Sequence, residues 1–372
     1  MSEHETPTET EAGQGVVSRR AVVGAAFGGI GAAAVVGVAA AAAWPDTTKA
    51  ASGTATTGGH GGGGSESSGK FAEIDFTAAP KDDFKAHDPV LKPRPAKREQ
   101  RITITAREVV GEIAPGTKQN LWTFDGQVPG PVYRGAVGDK FHFTLKNEGT
   151  LGHSIDFHAS KVAPNEKMAT IQPGESIEYP FEAKHAGIWM YHCGTAPVLH
   201  HIGTGMYGAV VIDPPDLAPV DHEFLFIHSE FYTGPEGEPG DYDKMFNEQW
   251  DAVVFNGYVS QYVHRPIRVE PNERIRAWVL DVGPSENCSF HVIGTIFDTV
   301  YKEGTYLLRP DERQGGSQAL DLQPAQGGFV EFTFDEPGLY PFATHKFANP
   351  GKGALGVFQA GDVEASAAGA GH

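Results

Sequence analysis

From Arg101 onward, apolar and polar side chains alternate in short runs. RITITAREVV (101–110) and KFHFTLKNEG (140–149) both follow a period of two, which sends successive side chains to opposite faces of a strand. Turn residues separate such runs, the rhythm of a sandwich of β-sheets. The pattern then occurs again. WTFDGQVPGP (122–131) is echoed by VVFNGYVSQY (253–262), and VGDKFHFTL (137–145) by EPNERIRAWVL (270–280). IQPGESIEYPFEAKHAGIWMYHC (171–193) is echoed by LQPAQGGFVEFTFDEPGLYPFATH (322–345). A repeat of roughly 130–150 residues predicts two similar sandwiches in tandem. The join falls in IDPPDLAPVD (212–221), whose prolines break strand pairing. The expected class is all-β, with two Greek-key β-sandwich domains over 101–216 and 217–361 and a flexible tail over 362–372.

The chain ahead of Arg101 reads differently. Residues 71–100 carry proline and charge but few periodic apolar positions, so they are expected to form an extended arm along the first domain. Residues 44–70 have the Gly/Ser composition of a flexible linker. Over residues 1–43, Ser18-Arg19-Arg20 precedes an uncharged Ala/Gly/Val stretch from Ala21 to Ala43, the form of a twin-arginine export signal. The mature chain is therefore expected to be exported, in the periplasm or on the extracytoplasmic face. An uncleaved leader would instead anchor it, since the stretch is long enough to span a bilayer. The formal net charge is −18. That excludes nucleic acid as a partner, because phosphate binding needs a basic surface. An acidic surface instead suits orientation of a charged redox partner.

The chemistry concentrates in HSIDFH (153–158) and YHCGTAPVLHHIGTGM (191–206). Cys193 is followed eight residues on by His201, and Met206 lies five residues further. A thiolate, two imidazoles and a weak thioether form a blue-copper electron-transfer site, and His153 supplies the other imidazole. His200 competes with His201 for the ligand place, and the gap to Met206 favours His201. The only other cysteine, Cys288, reads as a free buried thiol, because a disulfide would remove the copper thiolate. His192 and Cys193 are consecutive, so on a strand they point to different places. Cys193 then feeds the blue site while His192 is free to ligate a second metal. The second copy lacks a Cys-His-Met set and keeps two isolated histidines at strand ends, His291 and His345.

Together with SFHVIGTIFD (289–298), FATHKF (342–347) and GALG (353–356), these motifs resemble the copper-containing nitrite reductases over roughly residues 100–361. The loop between the Cys and the following His is similar to that of the shorter-loop branch. The resemblance implies two cupredoxin-like domains and two coppers per chain. It implies a type 1 copper on His153, Cys193, His201 and Met206, and a type 2 copper on His158, His192 and His345. It implies Asp156 and His291 as proton carriers, and a homotrimer in which the type 2 copper lies between subunits and takes His345 from the neighbour. The implied reaction reduces nitrite to nitric oxide, with the electron entering at type 1 copper and passing through Cys193–His192. The expected donor is a small redox protein, a cupredoxin or a c-type cytochrome.

The residues themselves agree with that expectation. Three imidazoles leave an open position on a metal, as a catalytic site requires. Ile293, two residues after His291, is placed to cap a substrate pocket on the same side. One departure is ASKVAPNEKMATI (159–171), bulky and charged where many relatives are rich in Gly and Ala. The partner of His291 stays open between Gln318 and Asp321. Two other classes compete. A two-domain multicopper oxidase needs repeated His-x-His pairs, which the chain lacks. A pure electron carrier leaves His158, His192, His291 and His345 without a role.

Overall fold

A computed structural model describes residues 70–310 and 315–363. The leader (1–43), linker residues 44–69 and tail residues 364–372 lie outside the described residues. Among the described residues, no helix is long and apolar enough to cross a membrane.

The first sandwich places Glu99–Ala114, Thr117–Phe124, Lys140–Asn147 and Ser176–Glu182 in one sheet. Val132–Ala136, Asp156–Phe157, Gly187–His192 and Tyr207–Asp213 form the other. Its pairings recur in the second sandwich. Glu99–Ala114 runs antiparallel to Thr117–Phe124 and parallel to Lys140–Asn147. His222–Phe231 stands in the same relation to Ala252–Phe255 and Ile275–Gly283. The parallel pair Val132–Ala136 and Tyr207–Asp213 has its counterpart in Ile267–Val269 and Leu355–Ala360. The second copy adds the hairpin Thr299–Lys302 and Thr305–Leu308 and the strand Leu320–Leu322. The expected tandem all-β architecture is what the chain adopts.

The duplication reaches the turns. Asp125-Gly126 and Asn256-Gly257 both hold the left-handed conformation, with φ of 56° and 77° in the first copy and 55° and 78° in the second. Two consecutive residues at positive φ make the hairpin turn whose twist matches that of its strands. In each copy the first of the two also accepts a main-chain N–H at 2.7 Å through its Oδ1, from Thr105 and from Ile227.

One strand belongs to two cores. Trp189, Tyr191 and Cys193 face the interior of the first sandwich with Phe143, Phe157 and Val210. Ile188 and Met190 face the other way and pack with Leu225, Ile227, Trp278 and Leu280 of the second sandwich. Full burial of each such side chain contributes about 1.5–3 kcal/mol, so the two sandwiches adhere along this seam. Strand alternation therefore puts His192 on the side of Ile188 and Met190, and Cys193 on the opposite side. A buried ion network crosses the same seam, with Arg134 Nη1 2.8 Å from Glu223 and Arg276 Nη1 2.9 Å from that carboxylate.

The arm departs from expectation. Residues 71–91 pack mostly along the second sandwich rather than the first. Phe71 bridges Pro235 and Val90 bridges Phe224, and the Pro89 carbonyl accepts the Leu225 N–H at 2.8 Å. The cause is a bare edge. Ala252–Phe255 covers only residues 228–231 of its neighbour, leaving the main chain around Glu223 and Leu225 open for pairing. The chain crosses to the first sandwich from Lys92 onward, where its carbonyl accepts from Arg134 at 3.2 Å.

Candidate metal centres

Two clusters of metal-ligating atoms form in the first sandwich. In each, the atoms lie within 4.8 Å of one another.

The first cluster is His153, Cys193 and His201, all buried. His153 is fixed on both sides of its main chain by Ile171, at 3.1 and 2.8 Å. Its Nδ1 lies 4.0 Å from Cys193 Sγ, and its Nε2 lies 3.3 Å from Glu108 Oε1. The sulfur accepts the Ser154 N–H at 3.4 Å. Ser154 Oγ in turn accepts the Gly194 N–H at 3.0 Å and the Thr195 hydroxyl at 3.1 Å. The loop is closed by backbone bonds from Cys193 N–H to Met206 O (3.1 Å) and from Met206 N–H to His201 O (3.0 Å). Met206 is fully buried beside them. His200 does not enter the cluster. Its Nε2 meets the Gly240 carbonyl at 3.0 Å, and its ring packs on Trp122 and Tyr242.

Electrostatics prepare this pocket for a cation. Burial holds the imidazole of His201 down to about 4 and keeps that of His153 below its ordinary value, so both are neutral and offer lone pairs near pH 7. Burial pushes the Cys193 thiol up, against the contacts from Ser154 and Thr195. A thiolate there needs a positive partner. His201 Nε2 is buried with no hydrogen-bond partner, a group that costs free energy unless something satisfies it. The donor set fits copper.

The second cluster is Asp156, His158 and His192. Asp156 pairs directly with His192 across the antiparallel strands. His158 Nε2 and His192 Nε2 are 3.0 Å apart, and Asp156 Oδ2 is 3.9 Å from each. His192 Nδ1 donates to the Cys193 carbonyl at 2.9 Å, which leaves Nε2 as its lone-pair nitrogen. Burial and then the neighbouring His192 lower the His158 imidazole, with Asp156 opposing.

The histidines of the second sandwich stand apart. His291 and His345 have ring centroids 5.2 Å from each other, and His345 also packs on Phe347. Ile293 is 41% exposed in the same corner. Among the described residues, the ligand cluster at His158 and His192 does not include His345. One chain thus brings together two of the three imidazoles that the family resemblance implies. The partner of His291 is the main-chain carbonyl of Gln318, met by Nδ1. Asp321 is engaged elsewhere, by Lys302 at 2.9 Å.

The copper-containing nitrite reductase of Neisseria meningitidis serogroup A is 36% identical over 276 residues, covering 71% of this chain and 70% of that protein. The chain belongs to the copper-containing nitrite reductases. A solved copper nitrite reductase from Nitrosomonas europaea superposes with a TM-score of 0.65 at 33% identity, covering 70% of this chain and 94% of that one. The multicopper oxidase family matches residues 105–217. A solved multicopper oxidase superposes with a TM-score of 0.63 at 27% identity, over 78% of this chain and 98% of that one. This reductase is accordingly a copper-dependent oxidoreductase. The motifs alone miss Ser154, whose N–H donates to the Cys193 sulfur, and Glu108 and Trp122, which touch His153 from outside. Ser154 had a signal, since it sits between two motif residues. Glu108 and Trp122 come from strands outside the motifs.

Proposed function

We propose that this reductase converts nitrite to nitric oxide at two copper centres. The reaction takes NO₂⁻, one electron and two protons to NO and water. The observation that carries the reading is the Cys193–His192 pair. One peptide unit joins a member of each donor cluster, and strand alternation points the two side chains apart. His153, Cys193, His201 and Met206 would hold a type 1 copper, and His158 and His192 a type 2 copper. When bound, copper supplies one-electron transfer at the first set and an open Lewis-acidic position for nitrite at the second.

The remaining work falls to the protein's own side chains. The peptide between Cys193 and His192 is the short covalent route from one set to the other. Asp156 stands 3.9 Å from both imidazoles, beyond direct hydrogen bonding to either. Its carboxylate is therefore placed to hold and pass on a proton beside the position that nitrite would take were copper held by His158 and His192. His291, tied through Nδ1 to Gln318, has its other nitrogen left to carry a proton. Because His345 and His291 share one corner, a neighbouring subunit that supplied His345 as third ligand would bring His291 with it. That geometry supports a closed ring of subunits with the second copper at the interface, and the family resemblance makes that ring a homotrimer. Ile293 would narrow the pocket beside them. A small redox protein, cupredoxin or c-type cytochrome, is the donor in this reading, and the twin-arginine leader exports the chain.

The test is copper stoichiometry with activity. Two coppers per chain and nitric oxide formed one-for-one with nitrite are expected. The multicopper oxidase family match over 105–217 favours dioxygen reduction as a second reading. Four coppers and steady dioxygen consumption would establish that reading and remove the first.

A further inference from the structure

We propose that Glu108 is the positioning residue for His153, holding the ring by Nε2 so that Nδ1 faces Cys193, and that Gly149 is without a side chain to make room for it. The inference rests on His153 being a copper ligand.

Glu108 lies on strand Glu99–Ala114, directly opposite Trp122 in the ladder. The Trp122 ring in turn packs on both His153 and His201. The Glu108 carboxylate gathers three hydrogens in four contacts. It lies 3.3 Å from His153 Nε2 and accepts the Thr150 N–H at 2.9 and 3.0 Å on its two oxygens. It also accepts the Leu151 N–H at 3.3 Å. Thr150 and Leu151 lead straight into His153. One side chain therefore ties down both the ring and the loop that carries it. Its side chain is only 14% exposed, so water does not readily replace these bonds. An imidazole whose Nε2–H is held by a carboxylate keeps its lone pair on Nδ1. Here Nδ1 is the nitrogen 4.0 Å from Sγ. Outer partners of this kind orient the ligand and raise its basicity.

Gly149 gives an independent sign of the same arrangement. A Cβ built there would lie 2.7 Å from Glu108 Oε1 and 2.9 Å from Oε2. The residue is outside the left-handed region, so its backbone does not demand glycine. What demands it is the space taken by the carboxylate. The obstructing atoms are the far end of a flexible side chain, so an added methyl displaces the carboxylate rather than the strand.

The experiment compares full-length, copper-loaded wild type with Glu108→Ala, Glu108→Gln and Gly149→Ala. It reads the thiolate-to-copper absorption, the reduction potential of that centre, and its copper affinity against a chelator. Copper at the second set is counted as an internal control. Glu108→Ala should weaken copper at the Cys193 set by about 10–100-fold, with the second set still filled. Glu108→Gln keeps an acceptor oxygen, so affinity should recover. Its potential should rise, because a neutral amide no longer favours the more positive oxidised metal. Gly149→Ala should move the absorption and potential in the same sense in a protein that stays folded. Should Glu108→Ala fail to fold, Gly149→Ala decides alone. Wild-type potential, absorption and affinity in Glu108→Ala, or in Gly149→Ala when it decides alone, overturn the proposal. A wild type with no thiolate-to-copper absorption is a different failure, and it removes the ligand reading of His153 itself.

Discussion

Asp156→Asn keeps the shape of the side chain and its pairing with His192 across the strands, and removes only the ability to carry a proton. The imidazoles do not depend on it for their placement. The His192 ring is held by its Nδ1 bond to the Cys193 carbonyl at 2.9 Å, and the His158 main chain is held by its N–H bond to the Met190 carbonyl at 3.0 Å. Both copper sets should therefore stay loaded. A general acid–base group is typically worth about 10²–10⁴-fold in rate. The Asp156 side chain is 26% exposed, so water reaches it and carries part of the proton traffic. The loss should then fall in the lower half of that range, about 10²–10³-fold, equivalent to about 3–4 kcal/mol of barrier. The assay is nitric oxide production from nitrite with electrons in excess, run beside a copper count and a visible spectrum. Lower turnover with missing copper would reveal a structural role instead. Wild-type turnover with both coppers present would mean that the protons travel another way, and the role given to Asp156 would fall.

Cys193→Ala should abolish the intense visible absorption while leaving copper at His158 and His192, as metal analysis and electron paramagnetic resonance would show; persistence of the absorption would sink the first ligand set. If His345 serves a neighbour's site, His158→Ala and His345→Ala chains should each be inactive alone, yet regain part of the activity when co-assembled. Mixed assemblies that form but stay inactive would place the third ligand elsewhere. Glu230 gives a pH test of stability. Burial pushes its carboxyl up to about 7, against hydrogen bonds from Tyr232 and the amides of Glu286 and Ser285. A raised folded value means stability that is full below the ordinary carboxylate range and lost as pH rises toward 7, on the order of 3 kcal/mol. Thermal midpoints of wild type should fall between pH 5 and pH 8 more steeply than those of Glu230→Gln; parallel curves would contradict this.

The parts of this chain that could be read in advance are those with local rules. Period-two runs gave the strands, and the echo of WTFDGQVPGP in VVFNGYVSQY gave the repeat, whose Asp125-Gly126 and Asn256-Gly257 pairs both adopt positive φ. The spacing from Cys193 to His201 and Met206 holds within one strand–helix–strand segment, so it survives folding as a cluster. What escaped depends on contacts distant in sequence or on the main chain. Glu108 sits in REVVGE, where a charge on a strand reads as a solvated face, and only the ladder brings it to His153. Gln318 was one of two candidates for the partner of His291, but it acts through its main-chain carbonyl, and a backbone acceptor leaves no trace in residue type that would decide between them. The arm went to the second sandwich because a neighbouring strand is too short to cover its edge, a property of pairing rather than of the arm's own composition.

The same contrast explains why the two clusters lie so close without merging. Gly187–His192 is anchored on one face by the interior of the first sandwich and on the other by the seam between sandwiches. A strand clamped on both faces has little freedom to twist, so the directions of His192 and Cys193 are set by packing rather than by any metal. His153 and His201 are brought to the sulfur side by the Ile171 pairing and by the turn that returns to Met206. Asp156 and His158 reach the other side because their short strand pairs with His192 and Tyr191 in register. A one-residue slip in that register would turn Asp156 away from His192 and break up the second cluster. The separation of one peptide unit is thus a consequence of sheet geometry, and the fold itself supplies the short connection on which the proposed electron transfer relies.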